Sequence, residues 1–399
     1  MKAPVGAALG VACQAACGLR NLSVPLLVTE KRLRALAIRT IALLGVALFA
    51  CQTQSTGPAN IGPVRGVTLA ALPSNAAIIA TGPRRDASGT FLNGCSLYAL
   101  PRDGSTLTQI TFDGEEHVCE FAAVSFDRRY IAQTRYPNAS SSVPAQLWIL
   151  DLTAKTEARL VPDFYAAGAN GVIFGADGYV YFIGKAVLDT SSPLASVAGL
   201  NLYKVLPDGT RLHQLSTTAD NEGIEDPGIS PDGTLLIYLR FRLAASGGGV
   251  VGTSSQIWAM SSDGSNERLV YDAKWEQNDG LTGAHDPEVD NNQTQVVFSR
   301  TNTSTSACPG TGGHAHELWA VNMDGTGAHR LTSNTAGSFS ITADWDLPGI
   351  LYSYIAPSPS CLWSLRLIQG NGTGDTLLGP RPGQGVPSLY ISQWIPNPP

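Results

Sequence analysis

Charge is scarce in this chain: of 399 residues, 15% are Asp, Glu, Lys or Arg. The net charge is −6, and no basic run follows residue 51. Without clustered lysine and arginine there is no electrostatic footprint for a nucleic-acid backbone, so a nucleic-acid partner is excluded. No apolar run after residue 51 reaches the roughly 20 residues a membrane-spanning helix needs. The signatures of common covalent and phosphate chemistry are also missing. There is no Gly-x-Ser-x-Gly elbow, no phosphate-cradling Gly-x-x-x-x-Gly-Lys loop ending in Ser or Thr, and no Cys-x-x-Cys. An activated serine, a nucleotide cradle and a dithiol pair therefore have no sequence support, and no catalytic residue is assigned.

What the chain has in quantity is turn chemistry, with 42 Gly and 25 Pro. The turns fall in a repeat. Six times a bulky aliphatic residue precedes an aromatic, a spacer and another apolar residue: Leu97-Tyr98-Ala99-Leu100, Leu147-Trp148-Ile149-Leu150, Leu202-Tyr203-Lys204-Val205, Ile257-Trp258-Ala259-Met260, Leu318-Trp319-Ala320-Val321 and Leu362-Trp363-Ser364-Leu365. Successive aromatics stand 50, 55, 55, 61 and 44 residues apart. Periods of this size mark repeat architectures. The fourth unit shows the contents most clearly. Gly228-Ile229-Ser230 leads into the turn Pro231-Asp232-Gly233, then Leu235 to Leu239 is dense in β-formers, and a second turn at Asp263-Gly264 precedes Arg268-Leu269-Val270. Asp-Gly suits such turns because Gly accepts positive φ without a Cβ clash. The second turn returns at Asp103-Gly104, Asp208-Gly209, Asp324-Gly325 and Asn371-Gly372.

Each unit thus reads as four short strands. Stacked hairpins alone would leave unpaired edges, which ring closure protects. The first unit has strands near residues 76–81, 96–100 and 107–111 but no innermost strand, while residues 389–394 form an orphan strand at the other end of the chain. The expectation is an all-β, six-bladed β-propeller of four-stranded antiparallel blades over residues 71–399, closed by the C-terminal strand. An open β-array or a sandwich is the alternative.

Residues 1–50 read as a signal peptide, with an over-long start before it. Lys31, Arg32, Arg34 and Arg39 precede a short apolar stretch at 41–50, ending in Leu48-Phe49-Ala50-Cys51. This resembles the bacterial lipobox, which implies diacylglyceryl modification of Cys51 and membrane attachment through the lipid alone. Gln52 at the next position implies the outer membrane of a Gram-negative cell, facing the periplasm or the surface. Residues 51–70 are polar and turn-rich, and read as a flexible tether. Four cysteines remain: Cys95, Cys119, Cys308 and Cys361. An even number in an exported domain favours disulfides. The propeller places them on neighbouring blades as Cys95 with Cys119 and Cys308 with Cys361; buried free thiols are the alternative.

Asp226-Pro227-Gly228-Ile229-Ser230-Pro231-Asp232-Gly233, together with Ile257-Trp258-Ala259-Met260 before Asp263-Gly264, resembles the repeat signature of the TolB-type, or PD40 (WD40-like), propellers. The resemblance spans roughly residues 75–395 and is closest in the fourth and fifth repeats. It implies a cell-envelope propeller that binds or scaffolds an envelope protein or peptide. The residues before the repeats leave little room for the α/β domain that precedes the propeller in TolB, so none is expected in this sequence.

Aligned on their first strands, the repeats place Glu120, Asn170, Glu225, His285, Ile341 and Tyr390 in one register and Asp226 and Asp286 in the next. These positions are expected to ring the channel mouth, acidic on one side, where a cation or a basic peptide could bind. The plainer reading is that Asp before Pro stabilises a turn through backbone N–H groups. His314-Ala315-His316 puts two imidazoles on one strand face, with His285 as a third candidate metal ligand. A divalent cation at the channel mouth, and with it metal-assisted lyase or hydrolase chemistry, is the alternative to a pure binding role. His117, His213 and His329 read as surface residues, and the repeat aromatics as packing between blades.

Overall fold

The structure, a computed structural model, describes residues 60–85, 91–112, 118–136, 145–165, 167–168, 171–186, 198–246, 249–273, 281–305, 314–333, 339–346, 349–358, 360–381, 384 and 389–396. All lie in one compact unit, Ser55–Pro399. Cys51 and the signal region, Asn170 and Cys308 fall outside the described residues, as do the side chains of Cys119, Glu120, His314 and Tyr390.

The described secondary structure is all strand, in six antiparallel sheets. The fourth blade is typical. Its strands are Glu222–Ile229, Leu235–Ser246, Gly249–Ser261 and Arg268–Ala273, paired in sequence order from the channel outwards. Its first turn is built as the sequence implies. The Ser230 hydroxyl donates to Asp232 Oδ1 (2.6 Å) and accepts from Leu235 N (2.9 Å), while Asp232 Oδ1 accepts from Thr234 N (3.0 Å). Ser125 and Asp127 repeat this arrangement in blade 2. Such turns satisfy backbone groups locally, so each hairpin register is fixed by contacts within a few residues.

The ring closes through the C-terminal strand. Tyr390–Trp394 pairs antiparallel with Ala76–Arg85 of blade 1, joining Ile78 to Trp394 and Ile79 to Gln393. The innermost strands Tyr390–Trp394, Val118–Val124, Val172–Phe174, Glu222–Ile229, Leu281–Val289 and Phe339–Asp346 then each touch the next, and the last touches the first. Gln393 Nε2 donates to Val172 O (3.2 Å), linking blade 1 to blade 3 past the intervening blade.

The core lies between blades. Ile78, Tyr98, Leu100, Leu351, Leu365, Leu378 and Trp394 form one cluster from blades 1 and 6. A second joins Tyr181 and Ile183 of blade 3 to Leu236 and Tyr238 of blade 4. Burying each blade's faces on two neighbours is what holds the ring rigid.

Three features differ from expectation. The free tether does not reach residue 70. Arg65–Gly66 adds a fifth strand to the outer edge of blade 2, pairing Arg65 with Glu157. Asn60 N donates to Gly209 O (2.8 Å) in blade 3, and Ala70 N to Ile110 O (2.9 Å) in blade 1. Residues 60–70 therefore strap three blades together. Extra backbone pairing along an exposed edge outweighs the polar composition that suggested a linker. The repeat aromatics are also not uniformly core. Tyr98 and Tyr203 are buried, whereas Trp148, Trp258 and Trp319 are half-buried, with the guanidinium groups of Arg135, Arg240 and Arg300 about 5 Å from their ring centres. Finally, His213 is half-buried against Tyr179, while His329 is exposed.

Candidate functional site

The innermost strands of blades 4 and 5 share one irregularity. Pairing with the second strand slips between Glu225 and Gly228, and again between His285 and Glu288. In each slip the residue before proline takes a left-handed conformation, φ 50° at Asp226 and φ 48° at Asp286. A bulge of this kind inserts an extra residue and re-aims the side chains around it. Asp tolerates the left-handed region better than most residues, and proline cannot donate to the ladder, so the Asp-Pro pairs fit the bulge.

The two bulges meet at the seam between blades. Asp226 Oδ2 accepts from Asp286 N (3.2 Å). Gly228 lies so close to blade 5 that a Cβ there would stand 2.5 Å from Glu288 Oε2 and 2.7 Å from Pro287 O. The seam therefore admits only glycine at residue 228, and the Asp226 carboxylate is held against the facing backbone.

This juxtaposition gathers one ligand atom each from Glu225, Asp226 and His285, all within 4.8 Å of one another. His316, on the third strand of blade 5, lies beside them. Its ring centre is 5.5 Å from that of His285, and its Nε2 is 3.3 Å from Thr301 Oγ1. All four side chains are partly buried. Each keeps some exposed surface on or beside the innermost strands of blades 4 and 5.

That setting moves two titrations in opposite directions. Burial, with Asp286 as a like charge nearby, pushes the Glu225 carboxyl up to about 7. Burial alone pulls the His285 imidazole down to about 4. At neutral pH His285 is an uncharged imidazole with a lone pair to give, and Glu225 stands near half-ionisation. A neutral nitrogen donor beside two carboxylates is a ligand set suited to a divalent cation, or to a cationic group of a partner.

Of the residues expected to ring the channel, the structure brings Glu225, Asp226, His285 and Asp286 together. They sit part-way along their strands rather than at the ends: Glu225 pairs with Leu239 and His285 with Ser299. The cluster thus belongs to the channel wall, not its mouth. His316 joins His285; the side chain of His314 lies outside the described residues. Missed in the sequence were the buried tyrosines of the second strands. Tyr181, Tyr238 and Tyr352 donate their hydroxyls to Asp177, Glu267 and Asp375. Their recurrence one strand before each repeat aromatic was the available signal.

Comparison with known proteins places the fold. No protein-family model matches the chain, and no curated protein matches it in sequence. Among solved structures it is similar to TolB from Acinetobacter baumannii, at 13% identity and a TM-score of 0.51, over 82% of this chain and 68% of that one. The fold is that of the TolB-like propellers. A chain of a nidogen/laminin complex is similar at 12% identity and a TM-score of 0.50, over 80% of this chain and 98% of that one. Hydrazine synthase from Kuenenia stuttgartiensis is similar at 14% identity and a TM-score of 0.53, over 85% of this chain and 48% of that one. One ring of blades is shared by proteins so different that function has to be argued from the site.

Proposed function

We propose that this chain is an exported, lipid-anchored propeller of a Gram-negative envelope that binds a protein or peptide partner at the seam of blades 4 and 5. The observation that supports it is the gathering of Glu225, Asp226 and His285 by two matching bulges. Buried ionisable groups shifted from their ordinary titration weaken folding, and such groups concentrate at functional sites. The lipobox at Cys51 supports membrane attachment, and the likeness to TolB supports an envelope location. Disulfides Cys95–Cys119 and Cys308–Cys361 would staple neighbouring blades in that oxidising setting.

The partner approaches from the end where the hairpins rise. The hairpin of blade 4 joins Leu235–Ser246 to Gly249–Ser261 and runs past Glu222, where the innermost strand begins. A photo-crosslinking residue in place of exposed Arg242, on this hairpin, is expected to give one discrete adduct in intact cells. The same residue in place of Ser265, in the turn at the opposite end, is expected to give none. Equal labelling from both ends, or from neither, rejects the proposal. The alternative, a metal-assisted lyase or hydrolase, draws on the same three ligand atoms and predicts turnover that Glu225→Gln abolishes.

A further inference from the structure

Glu225 and Asp226 come from blade 4 and His285 from blade 5, so any ion they share would bridge two blades. Their ligand atoms lie within 4.8 Å of one another. An ion bonded to N and O donors at about 2.0–2.2 Å holds its ligands roughly 3–4 Å apart. The difference is about 1 Å, within the reach of side-chain rotation.

A second observation concerns His285 itself. Its recorded contacts are the backbone carbonyl, which accepts from Ser299 Oγ (3.4 Å), and the ring of His316. Neither ring nitrogen has a hydrogen-bond partner among the described residues. The ring is partly buried and keeps some exposed surface. Here it lies beside two carboxylates yet hydrogen-bonds to neither, which is the arrangement a bridging cation satisfies. Around it, Asp286 N fixes one oxygen of Asp226, and His316 packs against the His285 ring. Contacts of this kind orient metal ligands before the ion arrives.

We propose that Glu225, Asp226 and His285 form a site for one divalent transition-metal ion of the Zn2+ or Mn2+ type, bridging blades 4 and 5. One imidazole with two carboxylates suits these ions better than Ca2+ or Mg2+, which take oxygen donors almost exclusively. Three protein ligands leave at least one position on the ion for an outside donor, as open zinc sites do. The ion would then present itself to an oxygen donor of the partner, such as a carboxylate or a main-chain carbonyl. This inference rests on the seam being the binding site.

The test uses the purified, untagged full chain, stripped with a chelator and titrated calorimetrically with Zn2+ alone. One equivalent is expected to bind saturably. Glu225→Gln and His285→Gln are each expected to weaken binding at least about tenfold, since loss of even an outer-shell partner costs a metal site that much. His329→Gln, at an exposed outer-strand histidine, is expected to change nothing. Absence of saturable Zn2+ binding, or unchanged affinity in both site variants, overturns the proposal. Glu225→Gln keeps shape and volume, so it decides the matter if His285→Gln does not fold. Saturable Zn2+ binding without a crosslink from residue 242 leaves the metal site standing and removes the partner reading; a crosslink without Zn2+ binding does the reverse.

Discussion

Replacing Glu225 and His285 one at a time should tilt the pH dependence of stability in opposite directions. The Glu225 carboxyl has a folded value of about 7 against an ordinary value of 4.5. Between those values the folded chain holds a proton that the unfolded chain has released, so stability falls as pH rises. His285 has a folded value of about 4 against an ordinary value of 6.5. Between those values the unfolded chain holds the proton, so stability rises with pH. Each slope approaches about 1.4 kcal/mol per pH unit in the overlap, roughly pH 5 to 6.5, and in the wild type they oppose one another. Burial is the cause at His285, and burial with Asp286 the cause at Glu225, so removing either residue leaves the other's shift in place. Relative to wild type, Glu225→Gln should gain up to about 2 kcal/mol from pH 5 to 6.5, and His285→Gln should lose as much. Urea denaturation of chelator-treated protein, followed by tryptophan fluorescence at several pH values, measures this directly. Parallel curves for the three proteins would refute the account of the seam as a buried, ionisable cluster.

Two further outcomes test the ring. Trp394 is buried against Ile78, Tyr98, Leu100 and Leu389 in the closing strand, so Trp394→Ala should cost about 3–5 kcal/mol in urea denaturation; a cost under about 1 kcal/mol would mean that closure contributes little. Gly104 has φ +64°, and a Cβ there would stand 2.1 Å from Leu378 O of the neighbouring blade, whereas Gly178 at φ +80° has nothing within 4 Å. Gly178→Ala should therefore cost only the left-handed backbone strain of about 1–2 kcal/mol, and Gly104→Ala clearly more; equal costs in the same assay would refute the seam packing.

Much of this protein is local and so could be read along the chain. The Ser-Pro-Asp-Gly and Asp-Gly turns, the alternating strands and the repeat aromatics are set by hydrogen bonds and φ preferences over a few residues. Their phase gave the blade count, and the orphan strand at 389–394 gave the closure found between Ile79 and Gln393. Even the alignment of Glu225 with His285 and of Asp226 with Asp286 was legible, because equivalent positions in neighbouring repeats stand side by side in a ring. The strap was not read, although Val67-Thr68-Leu69 alternates as a strand does; its partners lie as far away as Glu157 and Gly209, which no local pattern reveals.

By itself, then, the chain determined the repeat, the strand order and which residues recur at each register, since all of these follow from short-range backbone chemistry. Only the tertiary structure decided that two bulges face each other across one seam and that their cluster lies within the channel wall. It also set three of the tryptophans at the edge of the core, packed against its clusters on one side and guanidinium groups on the other. Those outcomes depend on how far each blade twists and how closely two backbones approach, and contacts between residues some sixty positions apart, such as Asp226 with Asp286, fix both.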